Sequence, residues 1–413
     1  METTPTRSAS LAALDEFAPR AGERYAHGRN ADDGPDRRNV SCLSPYLHAG
    51  LIGEREVIER VYEDHSPQAA DKFVSEVFWR LYFKGYLEQR PSIWPAFCEG
   101  RDAAIGRVDG NSGLGTAYAE ACEGRTGIAA FDVWARELVE TGYLHNHARM
   151  WFASIWIFTL KLPWELGADF FLRHLMDGDP ASNTLSWRWV GGLHTKGKTY
   201  MARPDNIERY TQGRPGGPLS AEGLAQDIEP LDENVEHGRQ PQDLPPRPDM
   251  DAFASPYALI LHDEGASHGP LTLPHPPALV IGAARPEARS PLPTGEKARD
   301  FAQDAVTSGA REAATHFDCD VAIWNEATRG AGQTLTEVLD AAGIERVALP
   351  FLPTGWVRDA LWPDIEPLAA DGRALSLLPD LSRAVWPEAK AGFFKVKKRM
   401  DSAMRECGIA GAG

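Results

Sequence analysis

From Leu51 to Arg188 apolar residues recur at helical spacing, and no strand-like alternation interrupts them. A chain with that pattern has to bury its apolar stripes helix against helix. REVIERVYEDH, DKFVSEVFWRLYFKGYLEQ, AFDVWARELVETG and WELGADFFLRHLMDG are the clearest such stripes. Residues 214–254 break the pattern, being rich in Pro, Gly, Asp and Glu and poor in periodic apolar positions, which predicts a connector. Beyond it, short apolar runs alternate with helical stretches. YALILH (257–262), PALVIGA (277–283), DVAIWN (320–325) and RVALPF (346–351) read as strands, with EKARDFAQDAVTSGAREAATHF as a helix between the second and third. That alternation predicts a Rossmann-like parallel α/β domain. The expected organisation is therefore an all-helical domain at 1–213, a linker at 214–254 and an α/β domain at 255–413. Neither GxGxxG nor GxxxxGK[ST] occurs in the second half, so no dinucleotide fingerprint or phosphate loop is written there.

Charge divides the chain unevenly. The net charge is −16; residues 1–220 hold 25 Lys+Arg against 29 Asp+Glu, and the remainder holds 18 against 30. An acidic second half repels phosphate backbones, so nucleic-acid contact has to come from a local basic patch. The longest apolar candidate, Trp151 to Leu162, is interrupted by Lys161 and followed by Pro163, too short to cross a bilayer. The N-terminus METTPTRSAS lacks the apolar core of a secretory signal, and the five cysteines form no CxxC or other close set. A cytoplasmic protein without disulfides, membrane span or metal centre is expected.

Three short segments carry candidate chemistry. In Asp177-Gly178-Asp179-Pro180, Asp179 is placed to cap a new helix with Pro180 at its first position, and that helix puts Asn183 and Trp187 on one face. In SCLSP, Ser41 and Ser44 precede a helix start near Pro45, where hydroxyls and free backbone N–H groups suit a phosphate, although such a segment is also an ordinary helix cap. In FVSEVFWR, Glu76, Trp79 and Arg80 share one side of a helix, with core packing as the plain alternative for the indole.

Between Glu123 and Tyr200 the motifs EGRTG with GYLHNHARM, WELG, DGDPASN and SWRW follow one another in order, and this stretch resembles the flavin-binding domain of the photolyase/cryptochrome superfamily. RYAHGRN, SCLSPYLHAG and FVSEVFWR extend the likeness to residues of about 25 to 205. The resemblance implies FAD as cofactor. It implies that Asn183 faces flavin N5, that Asp177 and Asp179 bond the ring and ribityl chain, that Arg149 pairs with Asp177, and that Asn146 lines the same cavity. Tyr25, Ser41, Leu43 and Ser44 match the phosphate contacts, while Val40 departs from a common threonine. Arg80 matches a residue on the flavin side. Glu76, Trp79, Trp189 and Met150 match the slot that takes a flipped pyrimidine dimer. His147 stands where many such enzymes have arginine, and Tyr143 replaces a frequent tryptophan.

Trp187 and Trp164 match the first two members of the family's electron-transfer chain, but no tryptophan stands near Asn111 for the third. Either Trp134, Trp151 or Trp156 offers a detour, or photoreduction is slow. An antenna domain ordinarily precedes the flavin domain; here an α/β half follows it, without a recognisable chromophore motif, so no antenna pigment is assigned. Its closing segment, AVWPEAKAGFFKVKKRM, is basic and aromatic, fit to contact nucleic acid or the neighbouring domain, with a solvated helix end as the alternative. The function implied is light-driven repair of cyclobutane pyrimidine dimers in DNA, with single strands preferred. The alternatives are a blue-light photoreceptor signalling to a partner through the C-terminal half, and a relative using the flavin for dark redox chemistry.

Overall fold

The computed structural model describes residues 3–242, 244–247, 253 and 255–409. Its first half is all helical, and its second half is a five-stranded parallel α/β unit. Local sequence explains the boundaries of the helices that matter most. Ser66 caps the helix Pro67–Glu88 by accepting Ala69 N–H at 3.3 Å, and Pro67 takes the first position, where no donor is needed. The helix Ala129–Thr141 stops at Gly142, whose φ of 67° is the left-handed cap that glycine favours. The helix Pro180–Gly191 starts under Asp179, which accepts Ala181 N–H at 3.3 Å. Trp134, Trp151, Trp156 and Trp187 fill the centre of this half and are almost wholly buried.

In the second half, β1 (Tyr257–His262), β2 (Leu279–Ala283), β3 (Asp320–Ile323), β4 (Arg346–Pro350) and β5 (Ala374–Leu377) run in the order β3-β2-β1-β4-β5. All pairs are parallel, with Leu259 opposite Val280 and Ala258 opposite Val347. Every residue of β1 and β2 is buried, as expected of central strands covered on both faces. β5 was not anticipated: it is a four-residue edge strand, partly exposed and without a continuous apolar run. The helix Glu296–Phe317 lies so close to the turn after β1 that a Cβ at Gly309 would come within 1.7 Å of the Ala266 carbonyl oxygen, so glycine is required there.

The two halves share their cores. One apolar cluster runs from Trp151 and Trp187 to Trp356 and Ile260, and another joins Val77 and Tyr82 to Val396 and Met400. The stretch between them is packed as well. Arg214 bonds Asp32 at 2.6 Å and also reaches Glu137, Leu231 N–H donates to Gly191 O at 2.9 Å, and Arg188 bonds Glu233 at 2.7 Å. The buried charged side chains Asp32, Glu137 and Arg188 of the helical half thus hold the chain that follows it.

Candidate functional site

The turn Asp177-Gly178-Asp179 is the meeting point of the two halves. Asp179, 2% exposed, accepts Ser182 Oγ at 2.7 Å, Arg80 Nη1 at 3.2 Å and Lys84 Nζ at 3.2 Å. Burial alone would raise its pKa, but Lys84, Arg80 and the Ser182 hydroxyl hold the carboxyl well below the usual range. Arg80 also bonds Glu54 at 3.1 Å and the Leu47 carbonyl at 3.2 Å. Lys84 in turn reaches Glu264, which lies just past the C-terminal end of β1. One helix face therefore carries two cations that bind the Asp179 turn, and the α/β half supplies the counter-charge.

His48 stands beside this cluster, 1% exposed, with neither ring nitrogen hydrogen-bonded, and burial keeps it neutral. His48, Asp179 and Glu264 offer ligand atoms within 4.8 Å of one another, a spacing a metal could use. The cation those two carboxylates meet is the Lys84 ammonium.

Further contacts clamp the same turn. Arg289 Nη1 donates to Leu175 O at 2.7 Å and Leu172 O at 3.3 Å, and Ala266 N–H donates to Ala49 O at 2.7 Å. Gly355, at the head of the helix Trp356–Ala370, lies so close to Pro180 that a Cβ there would come within 2.5 Å of the proline ring. In an open parallel sheet the crevice beyond the strand ends, where strand order reverses, is the usual ligand site. Here the order reverses between β1 and β4, and the helical half's own segments occupy that edge.

The residues expected at a flavin site fall into groups. Arg149 bonds Asp177 at 2.9 Å, and the other Asp177 oxygen is buried without a hydrogen-bond partner. Asn183, 8% exposed, donates from its amide to Ala168 O at 2.8 Å. Tyr25 is buried against Phe17 and Phe73, and burial pushes its hydroxyl up to about 12. Ser41 Oγ accepts Leu43 N–H at 3.3 Å, Leu43 is buried, and Ser44 opens the short helix Ser44–His48. A small cavity of about 20 Å³ between this segment and the Tyr143–Met176 side is lined by Arg37, Cys42 and Thr3 among others. Asn146, expected in the cavity beside Arg149, is exposed at the first position of the helix Asn146–Ser154.

The residues expected at a dimer slot are engaged with other side chains. Glu76 pairs with Arg29. Trp79 stacks on Phe393 with ring centroids 3.9 Å apart and planes 11° apart. His147 lies in an aromatic stack between Trp151 at 5.3 Å and Tyr210 at 5.7 Å, and burial lowers its pKa. Met150 is half-buried, and Trp189 is 37% exposed and tilted over Tyr200. Among the proposed redox tryptophans, Trp187 meets Trp156 edge-on at 6.2 Å, and Trp164 lies against Phe97 and the Arg188 guanidinium. Trp134 and Trp151 stack on one another instead.

Lys84, Glu264 and His48 were not singled out from the sequence, whereas Phe393 lies in the basic, aromatic closing segment that was expected to contact nucleic acid or the neighbouring domain. Of those three, Lys84 left a signal, four residues after Arg80 on the same helix face.

Comparison with known proteins bears on the helical half. The FAD binding domain of DNA photolyase matches residues 73–214. The chain is 31% identical over 204 residues to a deoxyribodipyrimidine photo-lyase of Vibrio cholerae, covering 47% of this chain and 42% of that one. It is 34% identical over 203 residues to the Thermus thermophilus enzyme, covering 48% and 45%. Among solved structures, a bacterial class III photolyase from Agrobacterium tumefaciens aligns with 28% identity and a TM-score of 0.38, over 50% of this chain and 41% of that one. The chain thus spans less than half the length of the curated relatives it matches, and no helix among its described residues is long and apolar enough to cross a membrane. The N-terminal half is thus a photolyase-type FAD-binding domain, matched over residues 73–214, and a parallel α/β unit follows it.

Proposed function

We propose that the helical half holds FAD and that the protein repairs cyclobutane pyrimidine dimers in DNA under blue light. The observation that carries the reading is the Asp177 carboxylate. One of its oxygens is paired with Arg149 while the other is buried without a partner, and Asn183 stands on the helix that follows. An unpaired buried acceptor costs about 1–3 kcal/mol, so it fits a ligand with an N–H donor, as a flavin ring has. Arg149 pairs with Asp177, and Arg80 and Lys84 hold Asp179 beside it.

A site for such a ligand needs on the order of 300 Å³ or more. The opening beside Cys42 and Tyr143 is about 20 Å³, smaller than such a ligand needs. When bound, the flavin supplies an electron to the dimer on illumination. The chain's own part is to orient the ring through Asp177 and Asn183, to exclude water with Trp187 and Leu43, and to present Trp79 and Trp189 for stacking of the extruded bases. For charge movement to the surface, Trp187 to Trp156 is the ring contact at hand, at 6.2 Å.

A second reading, a photoreceptor, is favoured by one specific feature. Asp179, Lys84 and Glu264 link the proposed flavin turn directly to the α/β half, a route by which a charge change at the ring would reach a partner-binding domain.

Illuminating the reduced protein with a dimer-containing single-stranded oligonucleotide should restore thymine absorbance, and Trp79→Ala should weaken substrate binding by about 1–3 kcal/mol per stacked base. If flavin is bound and no absorbance returns on single or double strands, the photoreceptor reading replaces repair.

A further inference from the structure

The C-terminal segment closes over the indole that would stack a base. Phe393 lies parallel to Trp79 at 3.9 Å, the arrangement a nucleobase adopts on an aromatic platform, and it is only 8% exposed. The other rings around Trp79 do not compete for that face: Tyr82 meets it edge-on and Phe83 is tilted, both at 5.5 Å. Next in sequence, Phe394 is 81% exposed, the most exposed of the large apolar side chains among the described residues. Lys390, Lys395 and Lys398 are exposed around it, and none has an ion pair among the described residues. Lys398 follows Phe394 by four positions on the helix Phe394–Glu406, so the two share one side of it. An exposed phenyl ring flanked by free ammonium groups is unusual in an acidic half, and its charge complements a phosphate backbone.

We propose that this segment is part of a single-strand nucleic-acid binding face in which Phe393 holds the place of an extruded base on Trp79. Binding exchanges Phe393 for the base, while Phe394 and the three lysines take the neighbouring nucleotides. The inference rests on the repair reading for the identity of the base, a pyrimidine in a dimer, but the exchange itself depends only on the stack.

The test measures affinity for a dimer-containing single strand at several fixed salt concentrations, with flavin content recorded for each preparation. Phe393→Leu keeps an apolar side chain in place and removes the ring; it should bind roughly 3- to 10-fold tighter than the parent, because binding no longer breaks an aromatic stack. Lys395→Gln with Lys398→Gln should bind more weakly and lower the slope of log affinity against log salt by about 1 to 2. If Phe393→Leu binds equally or less tightly while the parent binds, the exchange is overturned and the repair reading stands. If flavin is retained and neither protein binds any strand, both fall. Tighter binding by Phe393→Leu in folded preparations that take up no flavin under reconstituting conditions would sink the flavin reading and leave the exchange standing.

Discussion

Replacing Lys84 with methionine should destabilise the protein by about 3–5 kcal/mol, the usual effect of removing one partner from a buried ion pair. The methionine fills most of the space but leaves Glu264, with a side chain 2% exposed, without its cation, and leaves Asp179 with one cation, Arg80, in place of two. Burial already raises the Glu264 pKa, and Lys84 is the main influence opposing that rise. Without Lys84, Glu264 takes up a proton to avoid a bare buried charge. The effect is read from urea midpoints, and a double substitution with Glu264→Gln should be less damaging than the sum of the two single changes. A loss below about 1 kcal/mol would mean that the two halves are not joined through this contact.

The second large effect is a loss of stability on acidification between about pH 6.5 and pH 4. His145, His174, His194 and His262 are each pushed down to about 4, with burial the leading cause, and burial lowers His48 as well. Hydrogen bonding fixes two of them as neutral rings. His262 Nδ1 accepts Glu264 N–H at 3.2 Å while its Nε2 faces the Pro350 carbonyl at 3.1 Å. His145 Nδ1 accepts His147 N–H at 3.2 Å with Nε2 against the Arg29 carbonyl at 3.1 Å. Protonating either ring sets two donors against each other.

Because these folded pKa values lie below the unfolded value near 6.5, their contribution is complete above that pH and is lost as pH falls toward the folded values. Asp263, pushed up to about 7 by burial, runs the other way, as do Glu88 and Glu264, whose pKa values burial raises. Those groups favour the folded state at low pH and lose that contribution as pH rises. The histidines are the larger set, so the net loss from pH 6.5 to pH 4 should be on the order of several kcal/mol. Urea midpoints that stay level or rise over that window would contradict the balance.

Much of this architecture was legible because it is local. Helical periodicity marked the first half, apolar runs marked β1 to β4, and Asp179-Pro180 announced its helix by capping chemistry alone. Short edge strand β5 was not legible, since four partly exposed residues make no run. The site was harder for a physical reason. Glu76, Trp79 and Arg80 do lie on one side of a helix, but steps of three and four residues spread over roughly 100° of arc, enough for three different neighbours. Glu76 meets Arg29, Arg80 meets Asp179, and Trp79 turns to the C-terminal segment. The Lys84–Glu264 pair spans 180 residues, and no spacing rule reaches that far. Arg149 with Asp177 came from family resemblance; nothing in their separation requires them to meet.

Identification of what the protein releases on denaturation tests the central claim most directly. Protein purified or reconstituted with flavins should release FAD in near-stoichiometric amount, and Asp177→Leu should release far less while remaining folded by circular dichroism. FMN in place of FAD, or no flavin from the folded protein under reconstituting conditions, would contradict the account.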